Sequence, residues 1–448
     1  MMGIIGLVLG LVVLIVLIFK KVPTVLAVLS AALTAGLCNA LEPWTILNAL
    51  ADGTGATFAS YFFVFFLATL YGELMSISGC ANAIANALVK VFGKKNVVLV
   101  IILTTGLLVY GGVTAMVVCF TVCPIGISLL REANISKKFL PAMIAFGQGT
   151  FALTALPGTP QLNNIIPTEV LGTSSTAAPV LGIIGAVIMF VLGTVYLQVM
   201  VNHSVKKGEG FDESTVKQDA GGNKKDGNEV SALLGFLPMI LLVVSYMLFE
   251  NVNFGGYVFR EHGTYSAVST AMFVSIIYLV ILGFMKKPKE EMIHGLEMGC
   301  VDWIMPLLNF SMIVGFGSVI KMTVGFEQLV QIAINIPGSA YVSAAISVTL
   351  LAGVTGSASG GMKIALSSET LVSSWMNSGI NASALHRIVS IASCGLDSLP
   401  HCGGILATLN VCNETHSSSY LHIFVTTVLV PIIATVIIVA LASLGLVF

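Results

Sequence analysis

Charge is what this sequence has least of. Only 9% of its 448 residues are charged, against 56% hydrophobic, whereas soluble domains carry about a quarter charged residues, so a water-exposed globular fold is excluded. The formal net charge is −1 with no basic stripe, which removes nucleic-acid binding from consideration. No HExxH run, CxxC pair or Walker lysine motif occurs, so neither a metal centre nor ATP-driven work has a signature here. The eight cysteines (38, 80, 119, 123, 300, 394, 402 and 412) are scattered through apolar segments and read as small packing residues. Short alternating strand-like segments are missing too. The apolar runs approach the roughly 20 residues that a helix needs to cross a bilayer. An all-α polytopic membrane protein follows.

The N-terminus lacks a positive n-region and carries Lys20 and Lys21 after its apolar run, so it is expected to be a retained first helix. Spans are predicted at 3–19, 22–41 and 58–78, followed by an arm ending in Lys90, Lys94 and Lys95. Residues 96–131 are apolar but interrupted by YGGVT at 110–114, with cations at both ends, as in a re-entrant hairpin. Residues 138–172 hold GQGT, LPGTPQLNN and Pro167. As one helix they would exceed 50 Å at about 1.5 Å per residue, too long for a core of about 30 Å, so a span broken near 157–160 is predicted. A plain helix at 177–200 precedes the hydrophilic stretch 204–230, expected to be a flexible solvated linker. Spans at 232–249, 264–284 and 300–320 come next. A second interrupted hairpin is expected at 339–375, around GVTGSASGGMK at 353–363, and a second broken span at 382–413, around SCGLDSLPHCGG at 393–404. A last helix is predicted at 421–446.

Gly112-Val113-Thr114 answers Gly353-Val354-Thr355, and Leu156-Pro157 answers Leu399-Pro400, at offsets of 241 and 243 residues. Order and spacing point to an internal repeat: a first transmembrane repeat at 1–203, a cytoplasmic linker at 204–230 and a second repeat at 231–448. With the first hairpin opening to the cytoplasm, 16 of the 20 lysines and arginines fall on that side, leaving Arg260, Lys321, Lys363 and Arg387, as the positive-inside rule requires. The repeats are then inverted, giving about ten spans, two opposed hairpins and both termini outside.

Four interruptions should therefore converge: the tips at 111–114 and 355–361 and the breaks at 157–164 and 397–404. Unwound backbone and half-helix N-termini suit a small carboxylate. The candidate substrate-binding side chains are Thr114, Thr159, Gln161, Asn163, Asn164, Thr355, Ser357 and Ser359, with Ser398 beside them; packing by small residues is the alternative for the hydroxyls. Lys363 is either a counter-ion or a snorkelling side chain. Asp397 and His401, four residues apart, are candidates for proton coupling or for a structural network at the break. Glu73 ranks below them, and Glu369 with it. His386 beside Arg387 reads as the outer end of a span. No catalytic or metal-ligating set is expected, and no cofactor beyond a coupling ion, H⁺ or alternatively Na⁺.

YGGVTAMVVCFTVCP, REANISKK, TALPGTPQLNNIIPTEVLGTS, GVTGSASGGMKIAL and GLDSLPHCGG together resemble the gluconate permease (GntP) family, within the ion transporter superfamily. That resemblance covers most of the chain outside the linker. It implies a symporter for proton-coupled organic acid transport in a bacterial inner membrane, commonly a homodimer, and not an enzyme. Members handle gluconate and other sugar acids, hydroxy acids such as 3-hydroxybutyrate, and in one branch an amino acid. The tip YGGVTAM lacks the acid associated with gluconate-type members, which places the chain nearer the hydroxy-acid branch. A sodium-coupled carboxylate symporter and a gated anion channel are the alternatives, with a membrane-embedded enzyme third.

Overall fold

The computed structural model describes residues 2–20, 22–93, 96–212, 230–252, 266–334, 336–400 and 402–447. Every regular element among them is helical, as expected where lipid offers backbone amides no partner. Among the described residues, six helical stretches are long and apolar enough to cross a membrane: Pro43–Ile77, Pro179–Lys206, Ala232–Phe249, Ser266–Lys286, Lys289–Lys321 and His416–Ser443. Shorter apolar helices, including Gly3–Ile18 and Thr24–Cys38, complete a multi-pass membrane protein.

Several bounds differ from the sequence expectation, each for a local reason. The third helix begins at Pro43, not near 58, and runs 35 residues. Its first turns hold too few large apolar residues to read as lipid-facing, yet they pack on the Ile304–Lys321 helix, where a Cβ added to Gly53 would meet Ser318 Oγ at 2.3 Å. The span expected at 300–320 is two helices, Lys289–Val301 and Ile304–Lys321, interrupted at Asp302 and Trp303. The last helix starts at His416, because Thr415 and Ser418 form a capping box over the polar HSSSY stretch, and it carries a π turn at Val425–Leu429. Pro179–Lys206 overruns the expected linker boundary, and residues 213–229 of that linker lie outside the described residues.

The two hairpins fold as the glycines demand. Val97–Tyr110 and Ala115–Glu132 meet at 111–114, where Gly112 adopts φ +90, a left-handed conformation costly for residues with a Cβ. Ala340–Thr355 and Ala358–Leu366 meet at Gly356, φ +59. This second interruption is narrower than 353–363, because Ser357 caps the returning helix through Gly360 N at 3.2 Å. A separate helix, Glu369–Asn377, follows it.

The first broken span comprises Leu140–Gly149, a π turn at Phe151–Ala155, a turn and loop at 156–161 with Gly158 at φ +77, and Leu162–Leu171. The second comprises Ala382–Ala392, an irregular stretch at 393–402 and Gly403–Val411. Pro157, Pro160 and Pro400 supply no amide to continue a helix at these points.

Candidate functional site

The two broken spans cross antiparallel. At one end Lys137, just before the first, donates to Asn413 O at 3.3 Å and stands 3.7 Å from Glu414, just after the second. Further in, Gln148 Nε2 donates to Thr408 Oγ1 at 3.1 Å. At the breaks Asn163 Nδ2 donates to Ser393 Oγ at 2.8 Å, and Ser390 Oγ returns a bond to Asn163 O at 2.8 Å.

Each hairpin tip arrives at one break. Gln161 Nε2 donates to Val109 O at 2.7 Å and Val113 O at 3.3 Å, and Tyr110 OH to Pro157 O at 3.2 Å. On the other side Thr349 Oγ1 donates to Ala392 O at 2.9 Å, and a Cβ added to Gly353 would lie 2.6 Å from Leu396 Cβ. The two breaks thus meet each other, and each adjoins one hairpin.

The first break is fixed by a side chain from the second broken span. A helix that stops and a loop that turns leave carbonyls without amide partners. Arg387, fully buried, collects them: Nη1 bonds Thr154 O at 3.4 Å and Asn164 Oδ1 at 3.0 Å, Nη2 bonds Ser175 O at 3.3 Å and Ala177 O at 2.8 Å, and Nε bonds Ala177 O at 3.2 Å. The guanidinium has five N–H donors in a planar fork, and this acceptor set uses them. Its partners are neutral oxygens: Thr154 O at the end of the π turn, Ser175 O and Ala177 O in the loop before Pro179–Lys206, and the Asn164 side chain at the start of Leu162–Leu171.

Asn164 is the hub. Its Nδ2 donates to Thr159 O and Ser175 O, both at 2.9 Å, while its Oδ1 also pairs with His386 Nε2 at 3.2 Å. Since that oxygen only accepts, Nε2 carries the imidazole proton and Nδ1 accepts from Thr173 Oγ1 at 2.7 Å. His386 and Arg387 lie one turn into the Ala382–Ala392 helix, near the start of the span as their charge indicated, but both are fully buried against the first break. The signal was present in the sequence: an ionisable residue well inside an apolar run is a functional candidate by default.

At the second break Asp397 is buried and its Oδ1 accepts from Ser398 Oγ at 2.9 Å. The irregular backbone is held from the last helix, where Tyr420 OH donates to Ser398 O at 3.1 Å and His416 Nε2 meets Pro400 O at 3.1 Å. Neither residue was legible as a partner, because the polar start of that helix reads as a loop. His401, the other coupling candidate here, lies outside the described residues.

The remaining candidates are placed as follows. Thr159 is fully buried with Oγ1 unpartnered. Thr114 is half-buried at the N-cap of the first hairpin's return helix, with no side-chain capping bond. Thr355 turns its hydroxyl back on its own helix, to Leu351 O at 2.8 Å, Ser357 serves as a cap, and Ser359 is half-buried beside it. Lys363 pairs with Glu169 at 2.6 Å and lies 5.8 Å from the Tyr61 ring centre. Glu169, in the TEVLGTS stretch, was not singled out from sequence. Glu73 is half-buried in Pro43–Ile77, with Asp302 and His294 as its charged neighbours.

Chemically, the crossing gathers helix starts and neutral polar side chains. The helices beginning at Leu162, Ala115 and Gly403 have no side-chain cap over their first turns, so amide dipoles point at the breaks. Thr159, Gln161 and Asn163 add polar groups beside them. Broken helices meeting hairpin tips within a bundle of membrane-crossing helices define a membrane transporter.

The chain matches the GntP family permease model over residues 2–396 and belongs to that family. It is 33% identical over 393 residues to an uncharacterized transporter, YxjC, of Bacillus subtilis (strain 168), covering 82% of this chain and 83% of that one. A shorter match, 25% identical over 142 residues, covers 29% of this chain and 32% of the Gnt-II system L-idonate transporter of Escherichia coli (strain K12). In fold the chain is similar to the Alcanivorax borkumensis YdaH transporter, with a TM-score of 0.57 and 13% identity over 97% of this chain and 99% of that one. It is similar also to Neisseria gonorrhoeae MtrF, described as one of a class of antimetabolite efflux pumps, with a TM-score of 0.50 and 11% identity over 89% and 84% of the two chains.

Proposed function

We propose that this permease is a secondary active transporter importing a small organic acid anion, a hydroxy acid, sugar acid or related monocarboxylate, by proton symport. The observation carrying the proposal is the junction of the two breaks, where Asn163 meets Ser393 while Gln161 holds the first hairpin tip. A site assembled from both halves of the chain can open to either side when the halves rearrange, which a one-sided pocket cannot. The L-idonate activity of one relative agrees with a sugar-acid or hydroxy-acid substrate.

In this reading residues 1–203 and 231–448 are inverted repeats joined by a cytoplasmic linker at 204–230. Both termini face outward across a bacterial inner membrane, and two copies associate. Thr114, Thr159, Gln161, Asn163, Asn164, Thr355, Ser357 and Ser359 surround the substrate, Lys363 is its counter-ion, and Asp397 takes up the coupling proton, with His401 and Glu73 as further coupling groups. Asp397 fits that role because it is buried with its carboxylate bonded to Ser398, and among the described residues no salt bridge pairs it with a cation.

The test is a thermal-shift screen of the purified protein against L-idonate, gluconate, 3-hydroxybutyrate and simple keto acids, at acidic and neutral pH, with and without sodium. Saturable stabilisation by one acid class, strongest in acid and independent of sodium, is the expected result. Stabilisation that requires sodium would replace the proton with Na⁺, and no stabilisation by any carboxylate would overturn the substrate assignment.

A further inference from the structure

We propose that Glu169 is a resident carboxylate that occupies Lys363 until substrate displaces it, so that the pair is a latch on one route into the crossing. This rests on the reading of Lys363 as the substrate's counter-ion.

The pair joins the two halves of the chain. Glu169 lies on Leu162–Leu171, the outgoing half of the first broken span, and Lys363 on Ala358–Leu366, the return arm of the second hairpin. Glu169 is eight residues past Gln161, and Lys363 is six past Ser357. At a rise of about 1.5 Å per residue, Glu169 stands about 12 Å along its helix from the first break and Lys363 about 9 Å from the second hairpin tip. Their bond, 2.6 Å from Lys363 Nζ to Glu169 Oε2, therefore ties a broken span to a hairpin partway along a path between the crossing and one end of the bundle.

The pair is neither sealed nor fully solvated: the side chains are 17% and 36% exposed for Lys363 and Glu169. At that exposure the attraction is less screened than at an open surface. The ammonium stem is held in place. Its helix packs against the hairpin's other arm so closely that a Cβ added to Gly361 would lie 2.3 Å from Ala352 N, and the Tyr61 ring centre lies 5.8 Å from Nζ. Two further charges belong to the same neighbourhood. Lys321 donates to Ser367 O at 2.9 Å and is within electrostatic reach of both Lys363 and Glu369.

With Glu169 in place the two lysines are balanced by two carboxylates, and an arriving anion meets no net attraction. A substrate carboxylate carries the same charge and the same two-oxygen geometry as Glu169. It can take over Lys363 without leaving an unpaired ammonium, and in doing so it frees Leu162–Leu171 from the hairpin. Exchange of one carboxylate for another thus couples arrival of the anion to release of the contact.

The experiment measures equilibrium binding of labelled 3-hydroxybutyrate, gluconate and L-idonate to the purified full chain, as wild type, Glu169→Gln, Lys363→Met and the double variant. Removing the competitor while keeping its shape should tighten binding of the favoured acid roughly two- to fivefold in Glu169→Gln, the scale of a partly exposed ion pair. Lys363→Met should bind weakly, and adding Glu169→Gln to it should give no gain. Binding by Glu169→Gln with none detectable in the wild type would also support the latch. If the wild type binds and Glu169→Gln binds equally or more weakly, the latch is wrong while the carboxylate site stands. If the single Glu169→Gln gain persists in the double variant, competition for Lys363 is wrong. If neither the wild type nor Glu169→Gln binds any of the three acids, the latch falls together with the substrate assignment.

Discussion

Asn163 Nδ2 donates to Ser393 Oγ at 2.8 Å, and the backbone carbonyl of the same asparagine accepts from Ser390 Oγ at 2.8 Å. One residue of the first broken span is thereby held twice by the second. Because the two bonds share a residue, their contributions are not independent. Asn163→Ala and Ser393→Ala should each lower the apparent Tm, and together by less than the sum, with a coupling of about 0.5–1.5 kcal/mol. Additive losses in the four-member thermal series would show that the two breaks are not joined through this bond.

Arg387 should matter more to stability than any other single side chain at the crossing. Arg387→Ala removes the guanidinium donors from the buried carbonyls of Thr154 and Ala177 and from Asn164 Oδ1, while Ser175 O keeps its bond from Asn164 Nδ2, at a cost on the order of 3 kcal/mol. Arg387→Lys should recover part of the loss, since an ammonium offers three donors and no planar fork. Thermal unfolding in detergent compares the three proteins, and an unchanged Tm for Arg387→Ala would contradict the structural account.

Asp397→Asn keeps the size of the side chain and its capacity to accept from Ser398, but removes the titratable group. Uptake by this variant should lose its rise toward acidic pH while binding of the acid persists. A pH profile identical to wild type would leave Asp397 as a support for the break.

Lys363→Ala should weaken binding of the transported acid more than Lys321→Ala does. Lys321 is committed to the carbonyl of Ser367 at the hairpin's exit, whereas Lys363 faces a carboxylate it can exchange. Equal dissociation constants in the two variants would remove Lys363 as counter-ion.

Where the chain leaves Pro179–Lys206, Glu209 accepts from Lys138 Nζ at 2.5 Å and from Ser204 Oγ, Phe211 N donates to Asn134 Oδ1 at 3.0 Å, and Arg131 lies 5.3 Å from the Phe211 ring centre. The Lys138 hydrogen bond, with that from Ser204, pulls the Glu209 carboxyl down to about 2. A carboxylate lowered on folding contributes stability that is complete above its unfolded value and is lost as pH falls through the folded one. The contact should therefore be indifferent to pH from roughly 5 to 8 and be weakened by salt. Hydrogen exchange at 132–138 and 207–212, corrected for intrinsic rates, should rise in Glu209→Gln and stay constant across that pH window in the wild type. Protection that changes with pH there, or that Glu209→Gln leaves intact, would contradict this.

The breaks and tips were legible because glycine and proline inside long apolar runs have few other uses. YGGVT, LPGTPQ and the GLDSLP stretch each mark a place where a helix stops. What the sequence does not show is the direction a side chain faces. Arg387 reads as an interfacial charge until the carbonyls around it are seen, and Glu169 sits among residues that look like a loop approach. The polar openings of Pro43–Ile77 and His416–Phe424 were missed for a related reason. Hydropathy reports exposure to lipid, and these turns are stabilised by contact with another helix and by a capping box.

The central claim is coupled import, and uphill transport tests it most directly. The purified protein is reconstituted into proteoliposomes with an acidic exterior, supplied with labelled acid of the class found by the binding screen, and followed over time. The account predicts internal accumulation above the external concentration, collapse of that gradient on adding a protonophore, and no requirement for sodium. Equilibration without accumulation, accompanied by a passive anion current, would contradict it.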